Sequence, residues 1–258
     1  MAQRPSHDSL ARPQQEKSRS QEEKSGPREE KSRPRDEKSR PQQQKPDTPQ
    51  RILDVAEQLV QVRGFNAFSY ADVAAQLGIT KASLHYHFPG KAELGQALIA
   101  RYAQRFGQAL AQIDSETEDA WAKLAAYAGL YAGALSGQRM CLCGMLAAEY
   151  ETLPKPIRDA VVTFFDDNEA WLERVLDQGR TDDALRFEAS ARDTARMIIS
   201  GLEGAMLVSR PYGDIARFQA TAETLLASLA ATDDRVPARN RRGVARSQRA
   251  TPRAGTGR

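Results

Sequence analysis

Helical periodicity sets in at Thr48 and persists for most of the chain. Ile52, Leu53, Ala56, Leu59 and Val60 fall at i, i+1, i+4, i+7 and i+8, one apolar stripe on a core-facing helix. Thr48 before Pro49 predicts the N-cap, and Gly64 after Arg63 predicts the stop. A connection over 65–68 leads to Ser69, which with Asp72 forms a Ser-x-x-Asp capping box. The short helix Tyr70–Leu77 turns Val73, Ala74 and Leu77 inward. Gly78 ends it, Ile79 plugs the turn, and Thr80 caps a third short helix, Lys81–His87. From Lys91 a long helix runs to about Ile113, with Leu94, Leu98, Tyr102, Phe106 and Leu110 mostly four apart.

Further helices are predicted over 117–136, 141–149, 157–178, 189–208 and 214–229. Gly179 is read as the end of the fourth of these spans from Lys91 onward. No alternation of period two persists anywhere, so the expectation is an all-α chain of about nine helices. The organisation read from it is a three-helix module at 48–105, joined by the long helix to an α-helical body at 106–232.

Composition changes the picture only at the ends. Residues 1–47 contain four hydrophobic side chains, and Lys17, Lys24, Lys31, Lys38 and Lys45 recur every seven residues. No position of that repeat is apolar, and Pro27, Pro34 and Pro41 interrupt it, which argues against a coiled coil. Both 1–47 and 233–258 are therefore read as disordered tails that bury too little apolar surface to offset ordering entropy. Charge follows the same division: net +3 over 1–47, −6 over 48–232 and +6 over 233–258. The overall +3 thus hides an acidic body between basic ends. Within the body, 106–232 carries net −8 and cannot be a broad DNA-binding surface.

Two short helices joined by a glycine turn form the helix-turn-helix pattern, whose second helix lies in the major groove. Lys81, Ser83 and His85 are polar positions around the apolar anchor Leu84, with Tyr86 and His87 at the far end and Lys91 beyond the 88–90 turn. The run from Ile79 through His85-Tyr86-His87-Phe88-Pro89-Gly90 to Leu94 resembles the recognition-helix signature of TetR/AcrR-type bacterial regulators. The likeness extends back through Ser69, Tyr70 and Arg63-Gly64-Phe65. It implies phosphate contacts by Thr80, Tyr86, His87 and Lys91, base contacts by Lys81, Ala82, Ser83 and His85, and DNA contact by Ser69 and Tyr70 as well. Family members often have Tyr or Phe where His85 stands. Packing is the alternative reading of Tyr86.

The same resemblance implies a body that binds a small effector and dimerises through its long C-terminal helices. The partners expected are a palindromic double-stranded DNA operator, an unidentified small molecule and a second copy of the chain. Candidate pocket walls are Trp121, Tyr127, Tyr131, Cys141, Met145, Phe164, Phe165, Trp171 and Met206. Gly201, Gly204 and Ala205 suit close helix packing, either between subunits or within one. Cys141 and Glu149 match a run found in one branch of the family, some members of which sense oxidants or electrophiles. Three roles for Cys141 stay open: a sensor thiol with its pKa lowered by Arg139, a pocket wall, or plain packing.

Other classes find no support in the sequence. No run of 18 apolar residues suggests a membrane span, and no apolar leader suggests secretion. Two cysteines at i, i+2 make no disulfide framework, and a reducing cytoplasm is the expected setting. His7, His85 and His87 are the only histidines, so no metal site, cofactor or catalytic constellation is expected.

Overall fold

The computed structural model describes residues 47–231. The two polar ends, read above as disordered, lie outside the described residues apart from Asp47. Nine α-helices occur among the described residues. They are α1 (Thr48–Arg63), α2 (Tyr70–Leu77), α3 (Lys81–His87), α4 (Lys91–Glu116), α5 (Ala120–Ser136), α6 (Leu142–Ala148), α7 (Lys155–Thr181), α8 (Ala191–Ser209) and α9 (Ile215–Ala227). An isolated bridge pairs Leu185 with Ala230, and no strand forms among these residues.

The apolar stripe of α1 does what its spacing predicts. Ile52, Leu53, Ala56, Leu59 and Val60 are all buried. They meet Phe65, Phe68, Val73, Leu84, Phe88, Leu94 and Leu98 in one continuous core. Each large apolar side chain so buried contributes about 1.5–3 kcal/mol. Helix α4 leaves this head and packs along α7, α5 and α6. In the body α7 lies against α8, and α8 against α9, while α5 touches all three.

Several boundaries differ from the sequence expectation. Asp47 rather than Thr48 occupies the N-cap, and its side chain makes no capping bond. Helix α5 starts at Ala120 because the Asp119 carboxylate accepts the Ala122 N–H at 2.9 Å, fixing the first turn there. Gly179 does not end α7, which continues to Thr181. It marks a close approach instead: a Cβ there would stand 2.5 Å from Leu185 and 2.7 Å from Ala120.

Candidate functional site

The capping chemistry of α2 and α3 forms as predicted. The Ser69 hydroxyl and backbone N–H both donate to the Asp72 carboxylate, at 2.6 and 2.7 Å, and the Asp72 N–H returns to Ser69. The Ser69 hydroxyl thereby holds the Asp72 carboxyl below its ordinary pKa. Gly78 ends α2 in the left-handed conformation (φ 65°), which a side chain would strain. Thr80 then caps α3 by accepting the Ser83 N–H at 3.1 Å.

Only Leu84 of α3 is fully buried. That single anchor leaves Lys81, Ala82, His85 and Tyr86 exposed on the outer face, with Ser83 and His87 half-buried beside it. Tyr86 is 85% exposed, so packing is not its role. His85 is held rather than loose. Its ring lies 4.7 Å from that of Tyr70, and its Nδ1 is 2.9 Å from the Pro89 carbonyl oxygen. A carbonyl only accepts, so Nδ1 is the donor in this contact.

Two of the implied DNA contacts point inward. The Tyr70 hydroxyl donates to the Phe88 carbonyl at 2.9 Å, and burial, then Glu93, pushes its pKa up to about 12. The Lys91 ammonium donates to the Phe68 carbonyl at 2.6 Å and sits 4.4 Å from the Phe68 ring centre and 4.8 Å from that of Phe65. Burial lowers its pKa, with Glu149 and Asp72 pulling it back up. Lys91 therefore departs from the expected free ammonium: the turn at 88–90 folds it onto two aromatic faces and a carbonyl.

A seam joins this head to the body. The Glu149 carboxylate accepts the N–H groups of Phe65 at 2.6 Å and Asn66 at 3.2 Å. Gly64 bends the chain there with φ 94°, and a Cβ on it would stand 2.6 Å from Glu149. The Met140 N–H donates to the Gln61 carbonyl at 3.2 Å, and the Arg210 guanidinium to the Val62 carbonyl. Arg101 pairs with Asp54 and Glu57, and Arg105 with the same Glu57. In the sequence Glu149 is signalled only by the resemblance, and Arg210 not at all, because its partner 148 positions away leaves no local signal.

The body gathers part of the predicted pocket set. Tyr127 stacks on Trp171 at 5.6 Å, and Phe106 brings Tyr127, Tyr131 and Phe164 together. The Tyr127 hydroxyl donates to Asn168 at 3.1 Å and accepts from Tyr131 at 3.1 Å, so this buried polar group is satisfied. Phe165 stands half-buried beside Phe164, and Met206 is fully buried on α8. Trp121 lies elsewhere, lining a groove of about 330 Å³ with Ala125 and Phe218. Met145 meets the Arg210 guanidinium at 3.6 Å.

Cys141 is 2% exposed, and its sulfur accepts from the Gly144 N–H at 3.5 Å and the Tyr102 hydroxyl at 3.7 Å. Burial, then the neighbouring Glu203 carboxylate, pushes its thiol pKa well above the usual range. This is opposite to the lowering expected from Arg139, which is exposed and absent from the groups acting on the thiol. Cys143 is equally buried and is also raised, first by burial. Neither cysteine is in a disulfide. Among the described residues no group of His, Cys, Asp and Glu is arranged to hold a metal ion, and no helix is long and apolar enough to cross a membrane.

This fold and exposed reading face define a helix-turn-helix DNA-binding regulator. Residues 52–98 match the model of bacterial regulatory proteins of the tetR family, and 120–225 match the tetracyclin repressor-like C-terminal domain. A TetR-family transcriptional regulator of Agrobacterium tumefaciens superposes with a TM-score of 0.68 at 33% identity, covering 70% of this chain and 97% of that one. One from Legionella pneumophila gives 0.63 at 34% identity, covering 71% and 97%. The nucleoid occlusion factor SlmA of a Marinomonas species is 25% identical over 156 residues, 59% of this chain and 78% of that protein. The chain belongs to the TetR family of transcriptional regulators, and is not an enzyme.

Proposed function

We propose that the chain is a homodimeric repressor that a small-molecule effector releases from a palindromic operator. The observation that carries the reading is the outer face of α3, where Lys81, Ala82, His85 and Tyr86 are exposed around one buried anchor. Lys81, Ala82, Ser83 and His85 would meet base edges. Thr80, Tyr86 and His87 would meet phosphates, while Ser69, whose hydroxyl and N–H both donate to Asp72, would fix the start of α2. Tyr70 and Lys91 would set the angle of α3 from behind, because their polar atoms are already engaged. Residues 48–105 would thus form the DNA-binding domain, and 106–232 the ligand-binding and dimerisation domain.

One reader spans only a few base pairs, so a two-fold operator needs two. The second copy is assigned to α8. Met197, Gly204, Leu207 and Val208 line one face of it, and the three large residues are 44%, 59% and 63% exposed. A Cβ on Gly204 would meet open space, whereas one on Gly201 would stand 2.7 Å from Leu225 of the same chain. Gly201 serves packing within the subunit, and Gly204 belongs to the outer stripe. The effector is assigned to non-covalent binding, since a buried, protonated thiol reacts slowly. Both thiols unbridged suit a cytoplasmic setting.

Gel shifts with the DNA upstream of the regulator's own coding region, at moderate salt, test the reading. Sequence-specific binding at two dimer half-sites is expected. Binding equal to that of random DNA would overturn it.

A further inference from the structure

We propose that the seam between head and body holds a binding site for a small aromatic carboxylate that also carries a hydrogen-bond donor. The proposal rests on the regulator reading above and names the chemistry of its effector. A groove of about 340 Å³ opens where Gln61 of α1 faces Tyr102 and Phe106 of α4, with Ala134 of α5 and Arg139 beyond. That volume lies at the lower end of the roughly 300–1,000 Å³ typical of small-molecule sites.

Two observations give the groove a ligand's outline. Gln61 is 3% exposed, yet its side-chain Oε1 has no hydrogen-bond partner among the described residues. A buried carbonyl left unpaired is costly, and native proteins keep few of them. It awaits a donor. Charge supplies the second outline. Asp54 and Glu57 are taken up by Arg101 and Arg105. Arg139, on the opposite wall, folds over Gly137 and has no ion pair among the described residues. The groove therefore holds one cation in excess, which suits a monoanion, and a guanidinium fork suits a carboxylate. Tyr102 and Phe106 also line the groove, their rings 6.1 Å apart, and an aromatic wall suits an aromatic ligand.

The site touches the seam itself. The Gln61 backbone carbonyl accepts the Met140 N–H, and the next carbonyl, of Val62, accepts from Arg210. A molecule gripping Gln61 and Arg139 engages both sides of that join. Any preference it has for one setting of the head is a change in operator affinity of equal size.

The test uses the full chain and titration calorimetry with hydroxybenzoates and hydroxycinnamates, read without DNA. At least one of these acids is expected to bind. Its methyl ester, lacking the charge, and its analogue lacking the hydroxyl should each bind at least about tenfold more weakly. Arg139→Ala should cost a similar factor. Gln61→Met should weaken binding while leaving the free protein's melting temperature unchanged or higher, because the unpaired carbonyl is gone. A merely structural Gln61 would lower it. The proposal is overturned if no acid binds below about 10 mM, or if R139A binds as tightly as wild type. Operator gel shifts are run separately. Failure there sinks the regulator reading and leaves the calorimetric result standing.

Discussion

Glu149 and Phe65 are 84 positions apart in the chain, yet the carboxylate of one accepts the backbone N–H of the other at 2.6 Å. The bond fastens the body to the bend that begins the helix-turn-helix. Hydrogen bonds to a charged group contribute about 1.5–3 kcal/mol. Glu149→Ala should lower stability by that order and expose the Phe65 and Asn66 amides. Denaturant titration and amide hydrogen exchange check it. Unchanged protection at both amides would show that the bond is not made in solution.

Lys91 and Lys81 should separate cleanly. Lys91→Met removes an inward ammonium, so it should cost about 1–3 kcal/mol of stability with little change in the salt slope of operator binding. Lys81→Ala lies on the exposed face and should leave stability within about 0.5 kcal/mol. If Lys81 meets a phosphate the slope falls by about 0.9; if it reads a base, as assigned above, the preference changes instead. A full-unit loss of slope in Lys91→Met would return it to the phosphate set.

Tyr86 offers a contact almost wholly outside the fold. Tyr86→Ala should leave the melting temperature unmoved and weaken operator binding about tenfold, or roughly 1.4 kcal/mol. Ser83→Ala should instead relax base preference, read by binding to a set of singly substituted operators. An intact preference profile would take Ser83 out of the base-reading set.

Glu203 makes stability depend on pH. Burial pushes its pKa up to about 7 from an ordinary 4.5, and its Oε1 is enclosed without a partner. The folded state therefore holds this proton more tightly than the unfolded state. Stability from this group is full below about pH 4.5, falls as pH rises through 7, and is flat above. The loss is of order 3 kcal/mol. Glu203→Gln should flatten that limb and be more stable than wild type at pH 8. The same nest predicts that Cys141 is alkylated at least about tenfold more slowly in the native than in the unfolded chain. Operator release by an electrophile in wild type, but not in Cys141→Ser, would reverse this view of the thiol.

The outer stripe of α8 predicts the oligomeric state. Val208→Asp places a charge among exposed apolar groups that a second copy would cover. The variant should remain folded, sediment as a monomer and bind one half-site weakly. An unchanged dimer would move the interface off this face.

Much of the head was legible because its signals are local. The Ser69–Asp72 box, Gly78 and the Thr80 cap each act within three or four residues. The body's helices were legible from periodicity, but their ends were not. Gly179 looked like a stop because its reason for being glycine, the approach of Leu185 and Ala120, is tertiary. Lys91 looked like a surface cation for the same reason. Nothing beside it in the sequence says that two phenylalanines and a carbonyl enclose it. The pairings across the seam join residues up to 148 positions apart, a distance over which patterning carries no information.

Gly95 sits five residues into α4, and a Cβ there would collide with Phe65 of the head and Ile157 of α7. If α4 rocks about that point, the arms are unequal. At 1.5 Å per residue the near arm to Lys91 is about 6 Å, and the far arm to Glu116 about 32 Å. A push at the far end reaches the reading head about fivefold reduced and reversed in direction. A push at Tyr102, about 10 Å along, loses less than half. Leverage along this helix therefore favours a trigger close to the fulcrum, in the stretch that faces Gln61.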